Sequence, residues 1–327
     1  MDIVLTTPKT FIRVKDGLFL IKTDEKKISL SPAKVHRLVI TTRAGLTSDV
    51  LALCAKHNID VVLIDHHGNP LGRFWQAGFG STVTIRRKQL EISETFLALE
   101  YIKKWVGDKI KNQRDYLKRL AKNRPEKYEW IKIKTDSLDE YLEELSKISL
   151  QEENFKNKIM GLEGVSAGVY FDTLSWLIPE PYRFEGRSRQ PAKDLFNAFL
   201  NYGYGILYGQ VERAMVLAGL DPYIGFLHSD NYNKKALLFD LIEPYRIFAD
   251  ESVFSLFSEK KVNKSMGDIH KNGIVLNTEG KKLLIQNYNQ FMDKIIVFGK
   301  KKMKRINSIQ AYCHQFANSL LDKKQGE

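Results

Sequence analysis

Cysteine is nearly absent from this chain: Cys54 and Cys313 are the two in 327 residues. Two thiols so far apart in sequence form neither a disulfide framework nor a zinc-ligand pattern. The expectation is a pair of reduced cysteines in a cytoplasmic protein. No apolar run approaches the ~18 residues a membrane-spanning helix needs, so no membrane is expected. The first residues, Met1-Asp-Ile-Val-Leu5, lack the basic lead and long apolar stretch of a secretory signal. Low-complexity tracts and internal repeats are also missing, and a hydrophobic content of 43% is ample for a packed core. Acid is in short supply as well. Asp and Glu number 39 against 51 Lys and Arg, a net charge of +12, which points toward a polyanionic partner.

The basic charge that is there is clustered. Lys103, Lys104, Lys109, Lys111, Arg114, Lys118, Arg119, Lys122, Arg124, Lys127, Lys132 and Lys134 fall in one segment, opposed by Asp108, Asp115, Glu126 and Glu129 alone. A second cluster, Lys300, Lys301, Lys302, Lys304 and Arg305, lies near the C-terminus. Either could be a solvated helix face, but together they favour nucleic acid. An anionic membrane is disfavoured because no broad apolar face rich in Trp and Phe accompanies them.

The pattern along the chain predicts an α+β protein: a small N-terminal β-sandwich-like domain over residues 1–80, then a larger all-α domain over 81–327. Thr10–Val14 and Leu18–Lys22 flank Lys15-Asp16-Gly17, a hairpin signal. Ile28–Leu30, Arg37–Thr41 and Val61–Asp65 continue the strand pattern, and a short helix at Ser48–His57 has Ser48 as its expected N-cap. Gly68, Pro70, Gly72, Gly78 and Gly80 mark the domain boundary. Beyond it, helical spacing predicts long helices to about Leu120, a polar stretch at 123–136, and a helix at 138–145. Another begins near Glu152, and a long one over 192–218 opens at Pro191 and stops at Gly219. A helix at 236–245 and terminal helices at 278–298 and 302–321 complete the expectation.

Three carboxylates and one imidazole stand out. Glu163 sits in Gly161-Leu-Glu163-Gly164, where glycines either let a neighbouring helix approach or open a cleft. His228 follows the apolar run Tyr223–Leu227 and begins a polar loop. Asp240 and Glu243 are three apart among Leu237, Leu238, Phe239, Leu241 and Ile242, so a helix would bury both. Buried carboxylates need a cation, which a divalent metal or Arg246 would supply. Mixed carboxylate and imidazole donors suit Mg²⁺ or Mn²⁺. Arg187, Arg189 and Lys193, with Asn197, Tyr204 and Tyr208 beyond them, form a basic and aromatic group suited to a DNA backbone and an unpaired base, or a tyrosine stripe packed in the core.

Two further motifs weigh less. Gly203-Tyr-Gly205-Ile-Leu-Tyr-Gly209 has the wrong spacing for a phosphate-binding loop and lies within a helix. Asp65-His66-His67 resembles the signature triplet of the DHH phosphoesterases, but Asp49 and Asp60 lack the parallel-sheet setting that family needs, since the N-terminal strands read as hairpins.

Taken together, Gly161-Leu-Glu163-Gly164, Phe184-Glu-Gly-Arg187-Ser-Arg189, Asn197–Tyr208, Ala218-Gly-Leu-Asp-Pro-Tyr-Ile-Gly-Phe-Leu-His228 and Phe239-Asp240-Leu-Ile-Glu243-Pro-Tyr-Arg246 are colinear. They resemble the CRISPR-associated adaptation integrase, the universal first Cas protein, over essentially the whole chain. The resemblance implies metal ligands at Glu163, His228 and Glu243, with Asp240 as a supporting catalytic acid and Mg²⁺ or Mn²⁺ as the ion. It implies a homodimer formed through the β domains and assembly with the small second Cas adaptation protein. The implied reaction inserts short duplex DNA into a repeat array by attack of a 3′-hydroxyl on a phosphodiester. Arg187, Arg189, Lys193, Asn197, Tyr208, Lys300, Lys301 and Lys304 are the expected DNA contacts. Two other readings stand beside it: a general structure-specific DNA nuclease, and a non-catalytic architectural DNA-binding protein.

Overall fold

The structure, a computed structural model, describes residues 2–65, 70–74, 82–227, 234–271 and 273–322. Its N-terminal part contains β1 (Asp2–Leu5), β2 (Thr10–Lys15), β3 (Leu18–Lys22), β4 (Lys27–Leu30), β5 (Arg37–Ile40), β6 (Ala44–Leu46), α1 (Ser48–Lys56), β7 (Asp60–Ile64) and β8 (Pro70–Phe74). These strands form two four-stranded sheets, ordered β1-β5-β7-β8 and β4-β3-β2-β6. Ile12, Phe19 and Ile21 of one sheet share a core with Leu5, Leu38, Ile40 and Val61 of the other, and α1 closes it with Val50 and Cys54. The expected hairpin is β2–β3, with Asp16 and Gly17 both at positive φ in its turn.

One expectation fails here. β1, β5 and β7 run parallel, and β2 pairs parallel with β6, so the N-terminal sheets are mixed rather than built from hairpins alone. Parallel partners need a crossover connection, and their pairing is invisible to local patterning. The phosphoesterase alternative still gains nothing. Asp49 lies in the first turn of α1, and buried Asp60 faces Arg73 at 3.0 Å, while His66 and His67 lie outside the described residues.

The rest is mainly helical: α2 (Thr82–Ser93), α3 (Phe96–Lys122), α4 (Tyr128–Lys147), α5 (Phe155–Leu177), α6 (Leu195–Leu217), α7 (Ala236–Leu241), α8 (Arg246–Ser258), α9 (Thr278–Met292) and α10 (Arg305–Asp322). Short 3₁₀ turns at Glu180–Tyr182 and Glu243–Tyr245 join some of them. Two small hairpins, β9 (Gly267–His270) with β10 (Gly273–Leu276) and β11 (Ile295–Phe298) with β12 (Lys301–Lys304), interrupt the all-α expectation. The predicted terminal helices therefore shorten, and the second lysine cluster lies on β12 and the turn before it. The polar stretch at 123–136 is largely the first half of α4, because Glu and Lys are good helix formers when one face stays wet.

α6 is the axis of this part. Phe196, Phe199, Leu200, Leu207, Val211 and Met215 are all fully buried. It starts later than predicted, at Leu195, with Asp194 accepting from the Asn197 N–H at 2.7 Å. Pro191 stays in the preceding loop, behind a cis peptide bond. The helix stops as the sequence indicated. Gly219 takes φ +83°, its N–H reaches the Val216 carbonyl at 3.0 Å, and Leu220 N–H reaches Met215 at 3.0 Å. α6 also meets the N-terminal sheets: Arg73 contacts Glu212 at 3.1 Å and donates to the Gly209 carbonyl at 3.1 Å.

Candidate active site

Three elements bring the predicted acids together. α3 buries an apolar stripe through Ala98, Ile102, Trp105, Val106, Ile110 and Leu117, and Lys109 occupies a position on that stripe. Lys109 is 6% exposed, and its ammonium is ion-paired with Glu163 on α5 and lies 2.6 Å from Oε2 of Glu243. Glu243 begins the 3₁₀ turn between α7 and α8, which Asn112 of α3 holds by donating to the Pro244 carbonyl at 2.9 Å. Arg246 takes the other oxygen of Glu243, with Nε and Nη2 each 2.8 Å from Oε1.

Glu243 is thus a buried carboxylate between two cations. Burial pushes its pKa up, but Arg246 and Lys109 outweigh that and pull it down to about 2. It stays ionised under any ordinary condition. Its Oε2 lies 2.6 Å from the Lys109 ammonium, so each carboxylate oxygen of Glu243 has its own cation.

The glycines around Glu163 resolve in favour of open space. A Cβ added to Gly161, Gly164 or Gly168 would meet nothing within 4 Å, and Met160 and Val165 beside them are exposed. Among the described residues, no helix packs against these glycines. Glu163 itself is partly exposed at the rim, with a side-chain exposure of 31% against 9% for Glu243.

Asp240 holds backbone as well as carrying charge. It is 2% exposed, and its Oδ2 accepts from the N–H groups of Phe226 and Leu227 at 2.7 and 3.0 Å. It braces the segment that leads directly into His228, which lies outside the described residues. The same segment is held by Gln89 of α2, fully buried, which donates to the carbonyls of Asp221 and Ile224 at 2.8 Å and accepts from Asp221 N–H at 2.9 Å. Gly225 is required where it stands, since a Cβ there would fall 2.3 Å from that of Ala236.

The expected DNA contacts divide. Arg189, Lys193, Lys300 and Lys301 are exposed; Lys304 is exposed but lies 2.8 Å from Asp293. Asn197 is fully buried, donating to the Gly186 carbonyl and to Asp194, and accepting from Ser188 N–H and Arg187. Its amide is spent on shaping the 186–194 loop and offers DNA no exposed atom. Arg187 likewise donates to Asn197 and Asn201 and lies over the rings of Phe171 and Tyr204. Tyr208 is half-buried against Phe239 and Arg246. Tyr204 donates to Asp250 at 2.6 Å, and burial raises the pKa of that acid to about 6, opposed by the Tyr204 hydrogen bond and by Arg187 and Arg246.

Two residues escaped the reading of the sequence. Lys109 counted as one of twelve surface cations, although its place on the apolar stripe of α3 marks it as buried. Gln89 left no comparable signal. Among the described residues, no three His, Cys, Asp or Glu side chains converge closely enough to hold a metal ion. What converges is a pair of carboxylates, Glu163 and Glu243, on one cation, Lys109. Hard, anionic oxygen donors of this kind fit Mg²⁺ or Mn²⁺.

The family model described as CRISPR associated protein Cas1 matches residues 3–290. The chain belongs to the Cas1 family. It is 33% identical over 301 residues to the CRISPR-associated endonuclease Cas1 1 of Archaeoglobus fulgidus, covering 86% of each protein. Among solved structures, it superposes on a casposase bound to integration product with a TM-score of 0.84 at 22% identity, over 99% of this chain and 92% of that one. It also matches a chain of a Cas6-RT-Cas1–Cas2 complex, with a TM-score of 0.79 at 21% identity, over 98% of this chain and 35% of that one. At these identities the structural likenesses establish the Cas1 fold, while the family model and the archaeal relative establish membership.

Proposed function

We propose that this Cas1-family chain is a metal-dependent DNA strand-transfer enzyme of CRISPR adaptation, joining the 3′-hydroxyl of a short captured duplex to a phosphodiester of the repeat array. The observation that carries it is the meeting of Glu163 and Glu243 around a single cation beside a glycine-opened face. Glu163, Glu243 and His228 are the proposed ligands. A bound Mg²⁺ or Mn²⁺ supplies Lewis-acid stabilisation of charge developing on the phosphodiester. The chain's own residues do the rest. Glu163 and Glu243 present anionic oxygens from different elements, Asn112 fixes the turn that carries Glu243, and Asp240 and Gln89 hold the backbone entering His228. Asp240 thus acts as a positioning residue. The open face along Gly161, Gly164 and Gly168 lets a DNA backbone approach, and Arg189, Lys193, Lys300 and Lys301 attract it without reading sequence.

The proposed assembly is a homodimer through the β domain of residues 1–80, working with the small second Cas protein. A Cas1 fold recurring in a complex named with Cas2 supports that partner. An architectural DNA-binding role is the competing reading, favoured by the fact that Lys109 and Arg246 already neutralise the acids. The deciding assay is Mn²⁺-dependent joining of a short duplex with 3′-hydroxyl ends into supercoiled plasmid. Glu163→Ala is expected to lower joining by at least about 100-fold while DNA binding stays within about threefold. Joining that survives this change, or that ignores EDTA, would remove the assignment.

A further inference from the structure

The basic segment of α3 and α4 has two halves. In the first, most cations are answered by acids: Lys104 pairs with Asp108, Arg114 and Lys118 with Asp139, and Arg119 with Glu251. The second half is organised differently. Trp130 of α4 and Trp176 of α5 lie with ring centroids 4.6 Å apart at 32°. Trp176 is 43% exposed, an unusual placement for so large an apolar ring. Lys127 lies 4.9 Å and Arg183 5.6 Å from the Trp176 ring, and Lys134 5.7 Å from the Trp130 ring. None of these three cations is ion-paired with a carboxylate among the described residues, although Glu126, Glu129 and Glu180 stand in the same segments.

A protein that merely needed to hide two tryptophans would bury them, as Trp105 is buried. One that merely needed solubility would pair its lysines with acids, as the first half does. Exposed indole with three uncompensated cations around it is instead complementary to a flat aromatic ligand that carries negative charge on its tether. That is the chemistry of an unpaired nucleotide: the base stacks on indole and the flanking phosphates meet Lys127, Lys134 and Arg183. A blunt duplex fits less well, because its bases are already stacked on one another. Trp176 lies thirteen residues along α5 from Glu163, about 20 Å at 1.5 Å per residue. The tryptophan pair therefore stands apart from the acid pair but on the same helix.

We infer that Trp176 and Trp130, with Lys127, Lys134 and Arg183, form a stacking platform for an unpaired stretch of DNA strand. This site lies outside the acid centre, and it rests on the DNA-processing function proposed above. Its occupant is the single-stranded part of a DNA substrate, held by stacking and charge without base-specific hydrogen bonds.

The test uses the full chain and a fluorescein-labelled oligothymidylate of about twelve nucleotides, beside a blunt duplex of mixed sequence. Trp176→Ala is expected to weaken oligothymidylate binding at least about fivefold and up to about 150-fold, the range for loss of one stacked base. Blunt-duplex binding should stay within about twofold, and Trp176→Phe should retain most of the single-strand affinity because an aromatic face remains. Wild-type tryptophan emission should be quenched by the oligonucleotide, and less so in Trp176→Phe. Equal single-strand affinity of Trp176→Ala and wild type, with plasmid joining intact, overturns the platform and leaves the proposed function standing. An equal loss on both DNAs also overturns it, since stacking would then not be what distinguishes them. A Trp176→Ala effect confined to oligomeric state would assign the face to a protein partner and overturn the inference. Wild-type protein that binds neither DNA defeats this inference and the proposed function together.

Discussion

Lys109 and Lys127 belong to the same basic stretch of sequence and have come to opposite ends. Lys109 is buried between two carboxylates and gives its charge to the geometry of a site. Lys127 is half-buried beside an exposed indole, with no acid to answer it among the described residues. The difference lies in the helix stripe. Lys109 is in line with Trp105, Val106 and Ile110, so packing draws its ammonium inward and acids must follow. Lys127 falls in the short turn before α4, where no core claims it. Beside the surface cations that acids already answer, such as Lys104 and Lys118, the positive charge therefore has two contrasting populations: an interior one that shapes the acid centre, and an exterior one with no acid partner among the described residues.

The largest effect expected from that division concerns Lys109→Met. Removing the ammonium leaves Glu163 and Glu243 facing each other without their shared cation. Breaking a buried pair in this way costs about 3 kcal/mol, the lower end of the usual range because Arg246 still holds Glu243. Urea unfolding in EDTA measures it. Saturating Mn²⁺ should restore more stability to Lys109→Met than it adds to wild type, since the ion would replace the missing charge. A variant as stable as wild type in EDTA would mean that Lys109 is not the cation these acids depend on, and the interior population would lose its meaning.

The pH dependence sharpens the interior half. Glu243 is held near a pKa of about 2, below the 4.5 of an ordinary glutamate. The folded state therefore binds fewer protons than the unfolded one between those values, and the stability from Glu243 is present above about pH 4.5 and lost as pH falls toward 2. Asp250 goes the other way. Burial lifts its pKa from 3.8 to about 6, so the folded state binds the extra proton and stability declines as pH rises across that interval. Each limb is worth on the order of 3 kcal/mol. Glu243→Gln should flatten the acid limb, and Asp250→Asn the limb between about pH 4 and 6, in stability measured by urea unfolding across pH. If both variants track wild type at every pH, neither carboxylate is held as described.

How much of this was readable beforehand follows from the same physics. Glu243 stands out in sequence as an acid inside an apolar run, whereas Glu163 beside its glycines reads on its own as an ordinary solvated helical acid, and it is the resemblance that singles it out. Asp240 was legible as buried, but its work on Phe226 and Leu227 was not, because the loop returns to it across fourteen residues of chain. The hairpin β2–β3 has a local turn signal, whereas the parallel pairing of β1, β5 and β7 has none. β12, Lys301–Lys304, reads as helix in sequence, since lysine favours helix and nothing alternates in so short a basic run. Asn197 looked like a DNA contact by its company of Arg187 and Tyr208, but it is fully buried and, with Arg187, its side chain is spent on the loop.

The smallest expected effect tests the exterior population. Lys300 and Lys301 are exposed at the β11–β12 turn and make no ion pair among the described residues. Because they hold nothing in place, changing both to glutamine should leave stability within about 0.5 kcal/mol. Each lysine that meets a phosphate releases about one counterion on binding, so the double variant should weaken duplex binding only severalfold. The slope of log affinity against log salt should fall by about two. Fluorescence anisotropy with duplex DNA over a salt series measures that slope. An unchanged slope would show that β12 faces away from DNA, and the free surface charge would then be concentrated around Trp176. A loss of stability instead would place these lysines among the interior-type cations, and the contrast between Lys109 and Lys127 would no longer divide the molecule.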